Sequence, residues 1–152
     1  MTDSKQKCIM IDIDGVMTAI EIKRSKPVPP SLYQKFYDRI PKDKVNEWAI
    51  ELIKAMMAQG YVVIFCTGRH ERVRKDTEDW ILKKCELSPK DYILLMRAEN
   101  DGRKDFRVKR DIYRRQIKSK YNVLFILEDR KSVVKMWRNL KLVVLQNTWG
   151  LY

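Results

Sequence analysis

KCIMIDIDGVMT, residues 7–18, is an apolar run that ends in two carboxylates. Cys8-Ile9-Met10-Ile11 reads as a short buried strand, and Gly15 supplies the turn signal that closes it. Asp12 and Asp14 stand two residues apart, so an extended backbone puts both on one side. Carboxylates at the end of a buried strand are costly unless something compensates them.

Four more continuous apolar runs follow the first: GYVVIFC (60–66), DYILLM (91–96), NVLFIL (122–127) and LVVLQ (142–146). Runs of this kind suit strands buried on both faces. Helical patterns fill the gaps between them. Val45, Trp48, Ala49, Leu52, Ile53 and Met56 recur at helical spacing, with Gly60 as the stop. Residues 71–85 give a second helix with Val73, Trp80 and Ile81 inward, 106–119 a third, and 131–139 a fourth with Trp137 on its core face. The alternation predicts an α/β fold: a Rossmann-like, five-stranded parallel sheet with helices on both faces. Ligands of such sheets sit beyond the carboxyl ends of the strands. Residues 19–42 break the pattern and hold four of the five prolines. They predict a flap over the crevice, too short for a large cap domain.

The chain of 152 residues suits a single domain, 1–152, and 45% hydrophobic content suits a folded one. No apolar run is long enough to span a membrane. The N-terminal stretch has no signal-peptide pattern, and the three cysteines, Cys8, Cys66 and Cys85, are odd in number and unevenly spaced. Both point to a cytoplasmic protein whose cysteines are small core residues. The net charge of +12 favours polyanionic partners, nucleic acid first, or else a lysine-rich solvated surface.

The residues just past each strand converge on one chemistry. The first strand ends in Asp12 and Asp14, the second runs into Thr67-Gly68-Arg69, the third into Arg97, and the fourth into Glu128-Asp129-Arg130. Clustered carboxylates repel one another, and a divalent cation relieves them; an all-oxygen set suits Mg²⁺. An arginine and a hydroxyl beside that ion make a phosphate cradle. On a helical wheel Lys109 shares a face with Ile112, Tyr113, Gln116 and Ile117, so it points at the protein body, with Asp105 one turn earlier as a partner.

These residues resemble the haloacid dehalogenase (HAD) superfamily of phosphotransferases. Its aspartate–any–aspartate motif matches DIDGVMT, with Val16 where threonine is usual and Thr18 nearby. Its Ser/Thr motif matches Thr67, its lysine Lys109, and its acidic pair LEDR, with Glu128 where aspartate is commoner. A closer resemblance, over nearly the whole chain, is to the 3′-phosphatase half of bacteriophage polynucleotide kinase-phosphatase. It rests on GYVVIFCTGR, on RKDFRVK at 103–109 and on EDRKSVVKMWRN at 128–139. No GxxxxGKS or GxxxxGKT kinase loop occurs, so the sequence reads as a phosphatase domain by itself.

The resemblance implies a minimal-cap HAD fold and a set of roles. Asp12 is the nucleophile that forms an aspartyl-phosphate, and Asp14 the acid and base. Mg²⁺ is held by Asp12, the Asp14 carbonyl and Asp129, with Glu128 acting through water or Lys109. Thr67, the Gly68 backbone and Lys109 hold phosphoryl oxygens; Arg69, Arg103, Lys23 and Arg24 contact substrate; Asp105 supports Lys109. The implied substrate is the 3′-phosphate of a DNA or RNA end, in repair. Two alternatives stand beside it: the same chemistry on free nucleotides or another small phosphoester, and a nucleic-acid-binding module without activity.

Other residues carry weaker expectations. His70 reads as a loop surface residue. Tyr33, Phe36 and Tyr37 either stack on a base or pin the flap. The row Arg107, Arg110, Arg114 either tracks a phosphate backbone or is a solvated helix face.

Overall fold

The computed structural model describes residues 5–19 and 29–148. The five-stranded parallel sheet expected from the apolar runs is present: β1 (Gln6–Ile11), β2 (Val62–His70), β3 (Ile93–Arg97), β4 (Tyr121–Glu128) and β5 (Val144–Gln146), in the order β3-β2-β1-β4-β5. Alternation along β1 explains why it is central. Ile9, Ile11 and Ile13 enter one apolar cluster, while Cys8 and Met10 enter the other. The strand order reverses at β1, so its carboxyl end lies at the switch point where a crevice opens.

The helices cover both faces. On one side lie α1 (Tyr33–Tyr37), α2 (Glu47–Ala58) and α3 (Arg74–Cys85), contributing Tyr37, Ile50, Ile53, Trp80 and Ile81 to the first cluster. On the other lie α4 (Asp105–Ile112) and α5 (Lys131–Asn139), contributing Val108, Ile112, Val134 and Trp137. Gly60 sits at φ +82 just past α2, and the N–H groups of Gly60 and Tyr61 return to Met57 and Met56. This is a helix stop that favours glycine. The three cysteines are buried and unpaired in the core. No helix among the described residues is long and apolar enough to cross a membrane.

Two expectations change. The helix after Asp105 is α-helical only to Ile112; Tyr113–Ile117 form a wider π turn, with the Lys118 N–H bonded to the Tyr113 carbonyl at 2.9 Å. The extra residue per turn brings Ile117 inward and leaves Gln116 exposed, off the Lys109 face. Residues 29–42 are also less flap-like than their prolines suggested. They form short helical turns whose Tyr37 and Ile40 are buried in the core. The Asp43 carbonyl that follows accepts from the Trp80 indole at 2.9 Å. Residues 20–28, and with them Lys23 and Arg24, lie outside the described residues.

Candidate active site

The ends of β1, β2, β3 and β4 meet at the carboxyl edge of the sheet. Asp12 continues the β1–β4 ladder, its N–H bonded to the Leu127 carbonyl at 3.0 Å. The chain then turns sharply through Gly15, at φ +90, where a Cβ would run into the Asp129 carboxylate. The Gly15 N–H donates to Thr18 Oγ1 at 3.1 Å, so Thr18 supplies a hydroxyl where Val16, buried in the core, cannot. The Asn46 amide donates to the Val16 carbonyl at 2.8 Å, and the Asn147 amide to the Gly15 carbonyl at 2.8 Å. The loop that presents Asp14 is therefore fastened from α2 and from the segment after β5.

Lys109 comes from the second turn of α4 and is 1% exposed. Its Nζ lies 2.9 Å from Asp12 Oδ1, 2.9 Å from Glu128 Oε2 and 3.5 Å from Asp105 Oδ2. Asp105 is gripped in turn by Arg97 at 3.3 Å and Arg130 at 3.2 Å. Arg97, buried at the end of β3, also donates to the carbonyls of Gly68 (2.9 Å), Asp101 (2.9 Å) and Arg103 (2.6 Å). A Cβ on Gly68 would collide with the Asp105 carboxylate, so the bare backbone at this position is what lets β2 and α4 close on each other.

Burial and the Glu128 carboxylate push the Asp12 carboxyl well above the usual carboxylate range, against the pull of Lys109. Burial also raises Glu128. Burial works against the Lys109 charge, but Asp105, Asp12 and Glu128 outweigh it and hold its ammonium well above the ordinary lysine value. For Asp105, Lys109, Arg130 and Arg97 overcome burial and keep the carboxyl low.

Asp12, Glu128 and Asp129, all buried, each bring one carboxylate oxygen to within 4.8 Å of the others. That all-oxygen donor set fits a hard divalent cation. The charge of the site fits one too. Six carboxylates (Asp12, Asp14, Asp43, Asp105, Glu128, Asp129) face four cationic side chains (Arg69, Arg97, Lys109, Arg130), before any anionic ligand arrives. Glu128 already gives Oε2 to Lys109 and Oε1 to the N–H groups of Asp129 and Arg130.

The other expected residues fall into three groups. Thr67 is fully buried beside the site, its Oγ1 accepting the Arg69 N–H at 3.2 Å, and Gly68 lines the same edge. Arg69 is placed differently from the expectation. It is 1% exposed, and its Nε and Nη2 clamp Asp14 at 3.0 and 2.6 Å while Nη1 reaches Thr77 at 3.2 Å. Its guanidinium aims Asp14 instead of facing substrate. Arg103 is likewise committed, to Asp101 at 2.7 Å and Asp111 at 2.6 Å, on the surface.

His70 is a correction, since it is buried and not on a loop surface. β2 runs on through it, with a register shift after Cys66, to pair His70 with Arg97. The Tyr37 hydroxyl hydrogen-bonds with His70 Nδ1 at 2.6 Å and accepts the His70 backbone N–H at 3.2 Å. Burial, Arg97 and Arg72 lower the His70 value, in keeping with a neutral ring. Tyr37 thus pins residues 29–42 to the edge of the site. Tyr37→Phe leaves a buried ring nitrogen and a backbone N–H without their partner, at a cost of about 1–3 kcal/mol in stability. Equilibrium denaturation reads it, and an unchanged free energy would contradict the pinning role.

Asp43 and Thr77 were missed as site residues, and Arg97, read at the end of the third strand, was given no role of its own. Asp43 stands 3.6 Å from Arg69 Nη2, the nitrogen that also holds Asp14 at 2.6 Å. Arg97 carried a signal that was there to use: like Asp12, it is a charge closing a buried apolar run.

The sequence profile of the polynucleotide kinase PNKP phosphatase domain matches residues 6–152. A protein of Autographa californica nuclear polyhedrosis virus, assigned as a bifunctional polynucleotide kinase/RNA ligase, is 29% identical over 146 residues, covering 95% of this chain and 20% of its own length. A chain of the Pnkp1/Rnl/Hen1 RNA repair complex superposes with a TM-score of 0.84 at 31% identity, covering 99% of this chain and 45% of that one. The class C acid phosphatase from Bacillus anthracis, at 11% identity and a TM-score of 0.69 over 99% of this chain and 70% of its own, shares the fold. This chain thus spans about a fifth of the viral relative and under half of the repair-complex chain. Agreement of the profile from the first strand to the last residue, on a fold shared with phosphatases, makes the chain a member of the polynucleotide kinase PNKP phosphatase-domain family and a HAD-type phosphomonoesterase.

Proposed function

We propose that the chain removes 3′-phosphates from nucleic-acid ends, RNA ends among them, in a Mg²⁺-dependent reaction that passes through an aspartyl-phosphate on Asp12. The observation that carries this reading is the pairing of two carboxylates in unlike settings. Asp12 is buried with Oδ1 on Lys109, which leaves Oδ2 for phosphorus, while Asp14 is part-exposed and aimed by Arg69. The names of the relatives, an RNA repair complex and a polynucleotide kinase/RNA ligase, support the choice of substrate.

Asp12 Oδ2 attacks phosphorus, and the bond from phosphorus to the 3′ oxygen breaks. Asp14 gives that oxygen its proton, leaving a 3′-hydroxyl. Asp14 then takes a proton from the water that attacks the same phosphorus, and the bond to Asp12 breaks to release inorganic phosphate. Lys109, Thr67 and the Gly68 backbone hold the phosphoryl oxygens through both steps, so charge moves within a fixed set of donors. Asp12, Asp129 and the Asp14 carbonyl, with Glu128 behind them, would hold Mg²⁺, which would supply positive charge against the phosphoryl group and the carboxylates.

The test is a panel with Mg²⁺: 3′-phosphorylated RNA and DNA oligomers, 5′-phosphorylated oligomers, and 3′-mononucleotides. The expected result is phosphate release from 3′ ends with kcat/KM at least about tenfold above that for 5′ ends, a gap of about 1.4 kcal/mol. Mononucleotides turned over faster than any oligomer would transfer the reading to a nucleotidase.

A further inference from the structure

Between α4 and α5, on the side of the molecule away from α2 and α3, lies a groove of about 460 Å³. Its floor is apolar, from Phe106, Met136 and Leu140, and its rim is cationic, from Arg110, Arg114 and Lys135. No carboxylate lines it. Arg114 and Lys135 are exposed, and neither makes an ion pair among the described residues. Arg110 Nε is shielded from solvent without a hydrogen-bond partner, with the Asp111 carboxylate no nearer than 3.6 Å. Arg114 and Lys135, without counter-charges, and Arg110, paired only with Asp111 at 3.6 Å, crowd positive charge around an apolar floor, and an anionic ligand lowers that cost.

The position of the groove says what kind of anion. Phe106 directly follows Asp105, the carboxylate that grips Lys109, and Ser132 lies two residues past Arg130, which grips the same carboxylate. Phe106 and Ser132, at the N-terminal ends of α4 and α5, thus put one end of the groove next along the chain to residues of the phosphoryl site. From Ser132 the groove follows α5 to Asn139, about 10 Å at 1.5 Å per residue. Repeated charges beside apolar surface match a strand of alternating phosphates and bases, whereas a lone phosphate would use only one end.

We propose that this groove binds the single strand that leads to the 3′ end, with Arg110, Arg114 and Lys135 on its phosphodiester groups and Phe106, Met136 and Leu140 against its sugars and bases. This rests on the 3′-end reading above and adds where the rest of the strand lies.

The test uses the double variant Arg114→Gln/Lys135→Gln, both on the exposed rim, with an unchanged melting temperature as the folding control. A fluorescent oligonucleotide ending in a 3′-hydroxyl reports binding without turnover. Its affinity is expected to fall several-fold at 50 mM salt, and the slope of log K against log salt to become shallower by about 1.4, at about 0.7 per contact on a single strand. The kcat/KM for a 3′-phosphorylated oligomer falls by the same factor, while that for a 3′-mononucleotide does not change. Unaltered binding and slope would reduce the groove to a solvated face. An equal loss on the mononucleotide would put the two residues in the service of the catalytic centre, and tight binding of an acidic peptide in place of the oligonucleotide would name a different occupant; each overturns the proposal. Strand binding that depends on Arg114 and Lys135 in a protein that releases no phosphate from any 3′ end would uphold the groove and sink the 3′-phosphatase reading alone.

Discussion

Asp12→Asn is expected to lower phosphate release by at least about 10³-fold while the melting temperature holds or rises. The two effects have opposite signs for one physical reason. An amide keeps the shape of the side chain but cannot form the acyl-phosphate, so the chemical step is lost. Burial and Glu128 already push the Asp12 carboxyl well above its usual range, which means the folded protein holds that charge at a cost. Removing the charge relieves the cost. Turnover kept above about 1% of wild type, in protein checked by mass spectrometry for deamidation, would show that another group attacks phosphorus.

Lys109→Met reverses the second sign. Lys109 is the shared counter-ion of Asp12, Glu128 and Asp105, at 2.9, 2.9 and 3.5 Å. Without it, Asp12 and Glu128 face each other in a buried site, and breaking a buried ion pair from one side costs about 3–5 kcal/mol. Activity falls as well, by about 10²–10³-fold, the cost of removing one donor aimed at the transferring group. The melting temperature and kcat read the two effects separately. A variant as stable as wild type, with full turnover at saturating substrate, would contradict the placement of Lys109. In the pair of variants, one buried charge is dispensable for the fold and its partner is not.

Much of this arrangement could be read before any coordinates. Period and length of the apolar runs suffice for five strands, and their alternation with helical patterns suffices for a parallel sheet. Once the sheet is parallel, its carboxyl edge collects Asp12, Asp14, Thr67, Glu128 and Asp129 without further information. Lys109 was legible because a charge on the apolar side of a helix is locally anomalous. The partners of these residues were not legible, because they come from distant segments. Arg69 and Asp14 are 55 residues apart, and nothing in TGRH says that the arginine turns back to the first strand and not out to substrate. Arg97 and Arg130 converge on Asp105 from two different strand ends. His70 was misread because β2 continues past its apolar run with a shifted register, and because its partner, Tyr37, lies in the segment with the weakest pattern. The wider turn at Tyr113–Ile117 defeated a wheel drawn at constant pitch, which is why Gln116 was put on the wrong face.

The most direct measurement is a rapid-quench experiment with an oligonucleotide labelled in its 3′-terminal phosphate, with Mg²⁺, stopped in acid and in borohydride. Transient label on the protein that disappears as inorganic phosphate forms is expected, with reductive loss of the acyl-phosphate at Asp12 in the tryptic peptide that spans residues 8–23. Full conversion of the 3′-phosphate with no label on the protein at any time, or label on a residue other than Asp12, would contradict this expectation.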